Sequence, residues 1–250
     1  MGYIDIHSHI LANIDDGAKS IEESLALLEQ EKLNGVTSVI CTPHFYPEAD
    51  TLESHLEKCN SAFLELQNEI RYKELPKIYL GHEVQYFTGI SKCQTLDKLC
   101  IAGTNILLLE LPFLSPLSSF MIKEVEGIDL DLGITVILAH VERYHKDRHF
   151  KRLIKLFEHS GIKAQINADS VFNPATKKVV QKLLKKGLVS YIASDTHSPK
   201  ERPVSIGKAM KELKPKFYAE ILKCRKNSEK LEEIIEGAAN GQLQNPYSPL

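Results

Sequence analysis

Two histidines separated by one residue stand close to the start of the chain, in the run Asp5-Ile6-His7-Ser8-His9. The apolar residues around them are typical of a β-strand, in which alternate side chains lie on one face. His7 and His9 are therefore expected to point the same way, and two neighbouring imidazoles form a pair of metal ligands. Taken alone, this spacing also fits two ordinary histidines, and only the context distinguishes the two interpretations.

Further histidines and carboxylates follow the ends of later predicted strands. The acidic loop Asp15-Asp16-Gly17 comes after the first strand. The other residues of this kind stand at the end of a strand or just beyond it: His44, Glu83, Glu110, His140, Asp195 and His197. In a β/α barrel the carboxyl ends of all strands meet on one face, which carries the active site. This shared position favours one site built from the whole set.

The types of these side chains indicate which ions they would bind. Imidazole together with carboxylate suits Zn, Mn or Fe, whereas a set of oxygen ligands alone would suggest Mg or Ca. With Asp16 included, the set has five histidines and four carboxylates. That is too many for one ion and suits a cluster of two or three divalent ions. Such clusters turn water into hydroxide near neutral pH and hold a phosphoryl group between cations.

Two arginines and two aromatic residues complete the candidate site. Arg143 lies three residues after His140, and Arg202 lies five residues after His197. We expect both arginines to bind phosphoryl oxygens and to stabilise charge in the transition state, which makes them candidate catalytic and substrate-binding residues. Tyr46 and Phe113 lie in loops at the same face and are candidates to contact an aromatic substrate.

The elements that position these residues alternate strictly between strand and helix. After the strand that carries His7 and His9, six apolar strands are predicted at residues 38–41, 77–80, 105–109, 135–139, 163–166 and 188–193. Ser20 and Glu23 form a capping box that begins the first helix, and Ser115 is expected to cap the helix that runs to about Ile128. Seven such units predict a parallel (β/α)7 barrel, with an open doubly wound sheet as the alternative.

The remaining pattern predicts one domain over residues 1–250. Two or three helices are expected from Arg202 to about Ala238, followed by a short polar tail. Three histidines receive no role in the site. His55 and His159 are expected on helix surfaces, and His82 is expected to face away from the site because it directly precedes Glu83 on a strand.

Composition excludes several other classes of protein. The chain has 250 residues, of which 43% are hydrophobic and 26% charged, and its net charge is −2. No basic block favours nucleic acid or an anionic membrane, and no apolar run approaches the roughly 20 residues of a membrane span. Because the sequence opens directly into the first predicted strand, no signal segment is expected. The five cysteines are scattered and form no C-x-x-C pair, so a reducing cytoplasm is expected.

Six motifs together resemble the polymerase-and-histidinol-phosphatase (PHP) superfamily. More narrowly, they resemble its metal-dependent protein-tyrosine phosphatases from bacterial capsule and exopolysaccharide loci. The motifs are His7-Ser8-His9, Asp15-Asp16-Gly17, Thr42-Pro43-His44, Gly81-His82-Glu83, the run from Ala139 to Tyr144, and Ser194-Asp195-Thr196-His197. One departure is Leu11-Ala12-Asn13, where relatives often have Leu-Pro-Gly, and it touches no expected ligand.

The resemblance implies a distorted barrel of seven parallel strands with three metals, and it implies which residue binds which ion. The first ion takes His7, His9, Glu83 and Asp195; the second takes Glu83, Glu110 and His140, with Glu83 bridging; the third takes Asp16, His44 and His197. A carboxylate at Glu110 is typical of the tyrosine-phosphatase branch. The choice of Asp16 over Asp15 rests on the loop pattern of the family.

The resulting hypothesis is metal-dependent hydrolysis of phosphotyrosine on protein, with Mn, Fe or Zn as the ion. The resemblance suggests the tyrosine-rich tail of a bacterial tyrosine kinase as the partner, and it leaves the oligomeric state open. A cysteine-based phosphatase is excluded, because no cysteine has an arginine six residues later. Two alternatives stay open: a small-molecule phosphoesterase such as a histidinol phosphatase, and a metal-dependent scaffold without catalysis.

Overall fold

A computed structural model describes residues 2–112 and 115–241 of the chain. Nine strands have these bounds: β1 (Tyr3–Ser8), β2 (Val36–Cys41), β3 (His44–Phe45), β4 (Lys77–Leu80), β5 (Glu83–Gln85), β6 (Ile106–Glu110), β7 (Thr135–Leu138), β8 (Lys163–Asn167) and β9 (Val189–Ala193). Seven α-helices lie between and after them: α1 (Ile21–Leu33), α2 (Leu52–Ile70), α3 (Ser119–Leu132), α4 (Phe150–His159), α5 (Lys177–Lys185), α6 (Ile206–Leu213) and α7 (Tyr218–Gly241).

The strands form two parallel sheets, with the orders β1-β2-β4 and β3-β5-β6-β7-β8-β9. The predicted α/β class with parallel strands is confirmed, but the predicted count of seven strands is wrong. Two predicted strands are each continued by a second short strand after a break, at Thr42-Pro43 and at Gly81-His82. Proline has no backbone N–H to donate to a strand ladder, which explains the first break.

Backbone hydrogen bonds join the two sheets at their ends. The backbone N–H of His9 donates to the carbonyl of Thr196 at 2.9 Å, and the N–H of Asp195 donates to the carbonyl of His7, also at 2.9 Å. Within the larger sheet, the carbonyl of Pro43, just before β3, accepts from the N–H of Glu83 in β5 at 3.0 Å. These bonds run between segments that carry the candidate ligands, so the backbone fixes where the ligands stand relative to one another.

Side-chain caps set the beginnings of the helices. Ser20 caps α1 and accepts from the backbone N–H of Glu23, as predicted from the capping box. The prediction that Ser115 caps the third helix is wrong, because Ser118 does so and accepts from the N–H of Met121 at 3.1 Å. The two serines lie three residues apart, and each is a good cap by composition.

The C-terminal helices complete the core. Leu231 and Ile235 of α7 are buried against apolar residues of the strands, among them Ile4 and Ile6 of β1. Two helices follow Arg202, and the predicted polar tail from residue 242 onward lies outside the described residues. Within the described part of the chain, no helix combines the length and the apolar character that crossing a membrane requires.

Candidate metal centre

The carboxyl ends of β1, β6, β7 and β9, the first residues of the short strands β3 and β5, and the loop after β1 bring the nine sequence-predicted ligands into one region. The residues are His7, His9, Asp16, His44, Glu83, Glu110, His140, Asp195 and His197. Eight of them are at most partly exposed, whereas the side chain of Asp16 is 66% exposed. None of the nine ligands lies on an α-helix of the described residues. All come from strands and from the loops that follow strands, as expected for a parallel α/β fold.

A first group joins two histidines of the N-terminal motif to two carboxylates. The Nε2 atoms of His7 and His9 lie 3.1 Å apart. Oε2 of Glu83 lies 3.1 Å from the first and 3.3 Å from the second, and Oδ1 of Asp195 lies 3.5 Å and 3.4 Å from them. Four donor atoms on four buried side chains therefore converge on one point.

The second group uses the other oxygen of Glu83. Nε2 of His140 lies 2.9 Å from Glu83 Oε1 and 3.3 Å from Glu110 Oε1. Oε1 of Glu83 contacts this group, and Oε2 contacts His7 and His9 of the first group. One carboxylate therefore contacts two neighbouring groups, each with a different oxygen. This is the arrangement of a carboxylate that can bridge two ions.

The third group lies at the mouth of the site. Oδ1 of Asp16 is 3.6 Å from Nε2 of His44 and 3.3 Å from Nε2 of His197. The neighbouring carboxylate of Asp15 points inward instead, where it accepts from Nδ1 of His9 at 2.7 Å and from the backbone N–H of His44 at 2.9 Å. Asp16 is thus directed at the third group, and Asp15 orients His9 from behind.

Two residues of β8 that the sequence did not single out hold the groups in place. Oε1 of Gln165 accepts from Nδ1 of His7 at 3.2 Å and from the backbone N–H of His140 at 2.7 Å. Its Nε2 donates to Oδ1 of Asn167, whose own Nδ2 donates to Oδ2 of Asp195. Both residues are buried and two positions apart on a strand, which is the alternation that could have revealed them.

The backbone is strained at two of the ligands. His140 has a φ of 32° and Asp195 a φ of 53°, in the left-handed region that residues with a β-carbon rarely adopt. Such conformations persist where the surrounding structure enforces them, and they concentrate at functional sites. Here the strain turns each side chain toward the neighbouring groups just as its strand ends.

The electrostatic field of the site attracts positive charge. Burial alone would raise the pKa values of Glu83 and Asp195, but the Coulombic attraction of His7, with hydrogen bonds from other histidines, holds both well below their ordinary range. Burial would lower the pKa of His9, yet Asp15, Asp195 and Glu83 raise it well above its ordinary value. Both carboxylates are therefore ionised, and the imidazole of His9 is protonated and positively charged when no cation is bound.

The contacts between donor atoms test whether divalent ions fit. Nδ1 of His7 donates to Gln165 and Nδ1 of His9 donates to Asp15. The Nε2 atoms of the two rings, 3.1 Å apart, are therefore the atoms left to bind a shared ion, which would displace the extra proton of His9. Nδ1 of His44 and Oε2 of Glu83 lie 3.0 Å apart, and neither has a hydrogen-bond partner. Shared cations would satisfy all four atoms, so the residues fit a metal cluster.

Both candidate arginines lie at the edge of the groups. Nη2 of Arg143 is 2.6 Å from Oδ2 of Asp195, and Nη2 of Arg202 is 2.8 Å from the same oxygen. The two side chains keep 33% and 41% of their surface exposed. The ring of Tyr46 stacks on His44 at 4.9 Å between centroids, also near the opening. Phe113 lies outside the described residues.

Comparisons with known proteins match this chain over most of its length. The model of the family described as capsular polysaccharide synthesis, CpsB/CapC, matches residues 3–232. The tyrosine-protein phosphatase CpsB of Streptococcus agalactiae serotype III (strain NEM316) is 32% identical over 218 residues, which cover 83% of this chain and 88% of that protein. The putative tyrosine-protein phosphatase CapC of Staphylococcus aureus is 31% identical, covering 91% of this chain and 90% of that protein.

A solved structure has the same fold. The crystal structures of YwqE from Bacillus subtilis and CpsB from Streptococcus pneumoniae, metal-dependent tyrosine phosphatases, provide a match with a TM-score of 0.72 at 23% identity. It covers 99% of this chain and 99% of the matched chain. The resemblance that the motifs indicated is therefore confirmed, and this chain belongs to the CpsB/CapC family of capsular polysaccharide synthesis proteins.

Proposed function

We propose that this chain is a metal-dependent protein-tyrosine phosphatase that hydrolyses phosphotyrosine. The observation that carries the proposal is the convergence of three groups of imidazole and carboxylate ligands, with two guanidinium groups at their edge. The names of the relatives, which are tyrosine-protein phosphatases, support the same activity.

The proposed ligands form three sets that together hold two or three divalent ions, with Mn, Fe and Zn as the candidates. The sets are His7, His9, Glu83 and Asp195; Glu83, Glu110 and His140; and Asp16, His44 and His197. Each set corresponds to donor atoms within 3.6 Å of a neighbour in the same set. The two oxygens of Glu83 face different sets, which supports its assignment as the bridging ligand.

The ions, when bound, would supply hydroxide from water near neutral pH and positive charge for the phosphoryl group. Arg143 and Arg202 hold the phosphoryl oxygens with planar forks and stabilise the charge of the transition state. Their partial exposure beside the ligand groups supports this role. The leaving phenol has a pKa of about 10, far below that of an alkyl alcohol, so it departs with little help from a general acid.

The aromatic ring of the substrate needs a surface beside the phosphoryl site. Tyr46 stacks on His44, a proposed ligand, and is partly exposed, so its ring is placed to contact a phosphotyrosine ring. Phe113 remains part of the proposal from its position in the sequence, shortly after Glu110.

We place this activity in the cytoplasm, on the tyrosine-rich tail of a bacterial tyrosine kinase that controls capsule or exopolysaccharide synthesis. The description of the family as capsular polysaccharide synthesis proteins supports this context. The proposal also takes the chain as one domain, with its strands arranged as a distorted barrel. The backbone hydrogen bonds between the ends of β1 and β9 support that arrangement.

The substrate class is tested by comparing kcat/KM on three phosphoesters: a phosphotyrosine peptide, the matched phosphoserine peptide and histidinol phosphate. We expect the phosphotyrosine peptide to be preferred, because phenol is the better leaving group and the site opening offers an aromatic surface. Preference for histidinol phosphate would overturn the substrate and favour a small-molecule phosphoesterase. Hydrolysis of none of them by metal-loaded protein would favour a scaffold without catalysis.

Gln165→Leu is expected to weaken metal binding. The change removes the acceptor for His7 and for the backbone of His140, two groups that depend on the same amide oxygen. Loss of such a supporting hydrogen bond typically costs about 10- to 100-fold in metal affinity. The metal concentration for half-maximal activation should rise by that factor, with activity largely restored at saturating metal. An unchanged metal concentration for half-maximal activation would show that Gln165 does not support the metal ligands. Gln165→Glu, which keeps the acceptor oxygen, is the matched control.

A further inference from the structure

A second cluster of metal-ligating side chains lies behind the candidate centre. His55 and Cys59 stand four residues apart on α2, so both project from the same face of that helix. His82 lies between β4 and β5, in the break that the sequence did not predict. The three ligand atoms lie within 4.8 Å of one another. His55, expected on a helix surface, is instead 4% exposed, and that prediction is wrong.

The distances between the ligand atoms suit a single ion. Nε2 of His55 lies 2.9 Å from Nδ1 of His82 and 3.5 Å from the sulfur of Cys59. A tetrahedral zinc ion with ordinary bond lengths would place two nitrogen ligands about 3.3 Å apart, and a nitrogen and a sulfur about 3.6 Å apart. The sulfur of Cys59 also lies 3.8 Å from Nδ1 of His55, so it faces the imidazole ring. Binding of an ion therefore requires the side chain of His55 or Cys59 to rotate until the sulfur and Nε2 point at a common centre.

The environment of the cluster is closed and apolar. His82 is 3% exposed and Cys59 is fully buried, and the ring of Phe45 packs against His55 with centroids 4.9 Å apart. Burial lowers the pKa of His55 to about 4, so its imidazole is neutral and has a lone pair to give. Burial also raises the pKa of the Cys59 thiol to about 12, so a bound ion would displace that proton.

We propose that His55, Cys59 and His82 form a second metal site, distinct from the nine-residue centre, that binds Zn²⁺ or a similarly thiophilic ion. Two imidazoles and a thiolate are the ligands that such ions prefer. The side chain of His82 contacts α2, while that of the adjacent Glu83 contacts His7 and His9. An ion here would fasten α2 to the strand break directly behind Glu83.

The presence of sulfur separates the two sites experimentally, because the nine proposed ligands of the candidate centre include no cysteine. Full-length protein stripped with chelator is titrated with Co²⁺, and the near-ultraviolet thiolate-to-cobalt charge-transfer absorption is followed. We expect the absorption to appear and to be abolished when Zn²⁺ displaces the cobalt. Cys59→Ala should lose it, and elemental analysis should then find about one ion fewer per chain than in the unmodified protein.

Cys100→Ala is the matched control, since Cys100 is also a buried free cysteine but lies outside the cluster. It should keep the absorption and the metal content. Absence of the charge-transfer absorption in the unmodified protein would overturn the proposal without recourse to any variant. Its persistence in folded Cys59→Ala would do the same, and the cluster would then be a hydrogen-bonded pair of core histidines. Neither readout depends on phosphatase activity, so the proposed function stands or fails separately.

Discussion

Glu83→Gln is expected to lower kcat for a phosphotyrosine peptide by about a thousandfold or more, since the change removes several kcal/mol of charge stabilisation. The substitution preserves the size of the side chain but replaces one charged oxygen by an amide. Both oxygens of Glu83 face imidazole nitrogens, at 2.9 Å on one side and at 3.0–3.3 Å on the other. The binding of two ions should therefore be weakened by this one change, and elemental analysis should show less metal per chain.

Glu124→Gln provides the control for Glu83. Glu124 is another buried glutamate, and it accepts from the backbone N–H of Gly89 at 2.8 Å, outside the ligand groups. We expect it to keep both metal content and turnover. If Glu83→Gln retained full metal content and normal kcat, the assignment of Glu83 as a bridging ligand would be wrong.

Arg143→Ala should lower kcat by about a hundredfold to a thousandfold, the usual cost of losing one donor to a charged transition state. Metal content should persist, because Arg143 contacts Asp195 through its outer oxygen, Oδ2, whereas Oδ1 faces the histidines. Arg143→Lys should restore only part of the loss, since an ammonium group cannot bind two phosphoryl oxygens as a fork does. Steady-state kinetics with elemental analysis on the same preparations provides the measurement.

The control for this prediction is Arg148→Ala, which removes an exposed arginine five residues further along the chain. Its kinetics should match those of the unmodified protein. Normal turnover in Arg143→Ala would exclude that arginine from the reaction. A loss of metal as large as the loss of turnover would instead make Arg143 a residue that supports Asp195.

The ligand groups could be predicted from the sequence because apolar runs show where buried strands end. His140 and Asp195 each follow an apolar run that can only be a buried strand, and parallel strands present their carboxyl ends together. The choice of Asp16 came from a loop pattern, and in the structure Asp16 faces His44 and His197 while Asp15 faces inward. Loop conformation of that kind is set by contacts across the fold.

Other features depend on long-range contacts that local pattern does not reveal. Gln165 supports the site because it accepts hydrogen bonds from His7 and His140, which are distant from it in the sequence. The burial of His55 depends on the break between β4 and β5, which places His82 against α2. The spacing of His55 with Cys59, and with Leu56 and Leu66 on the same helix, is the local signal that it lies on the buried face.

Metal dependence of catalysis is tested by hydrolysis of a phosphotyrosine peptide by purified protein, after chelation with EDTA and after restoration of Mn²⁺, Fe²⁺ or Zn²⁺. We expect chelation to abolish turnover and at least one of these ions to restore it, because the proposed nucleophile is a hydroxide that the bound ions supply. Turnover that survives complete removal of metal, confirmed by elemental analysis of the same sample, would contradict this expectation.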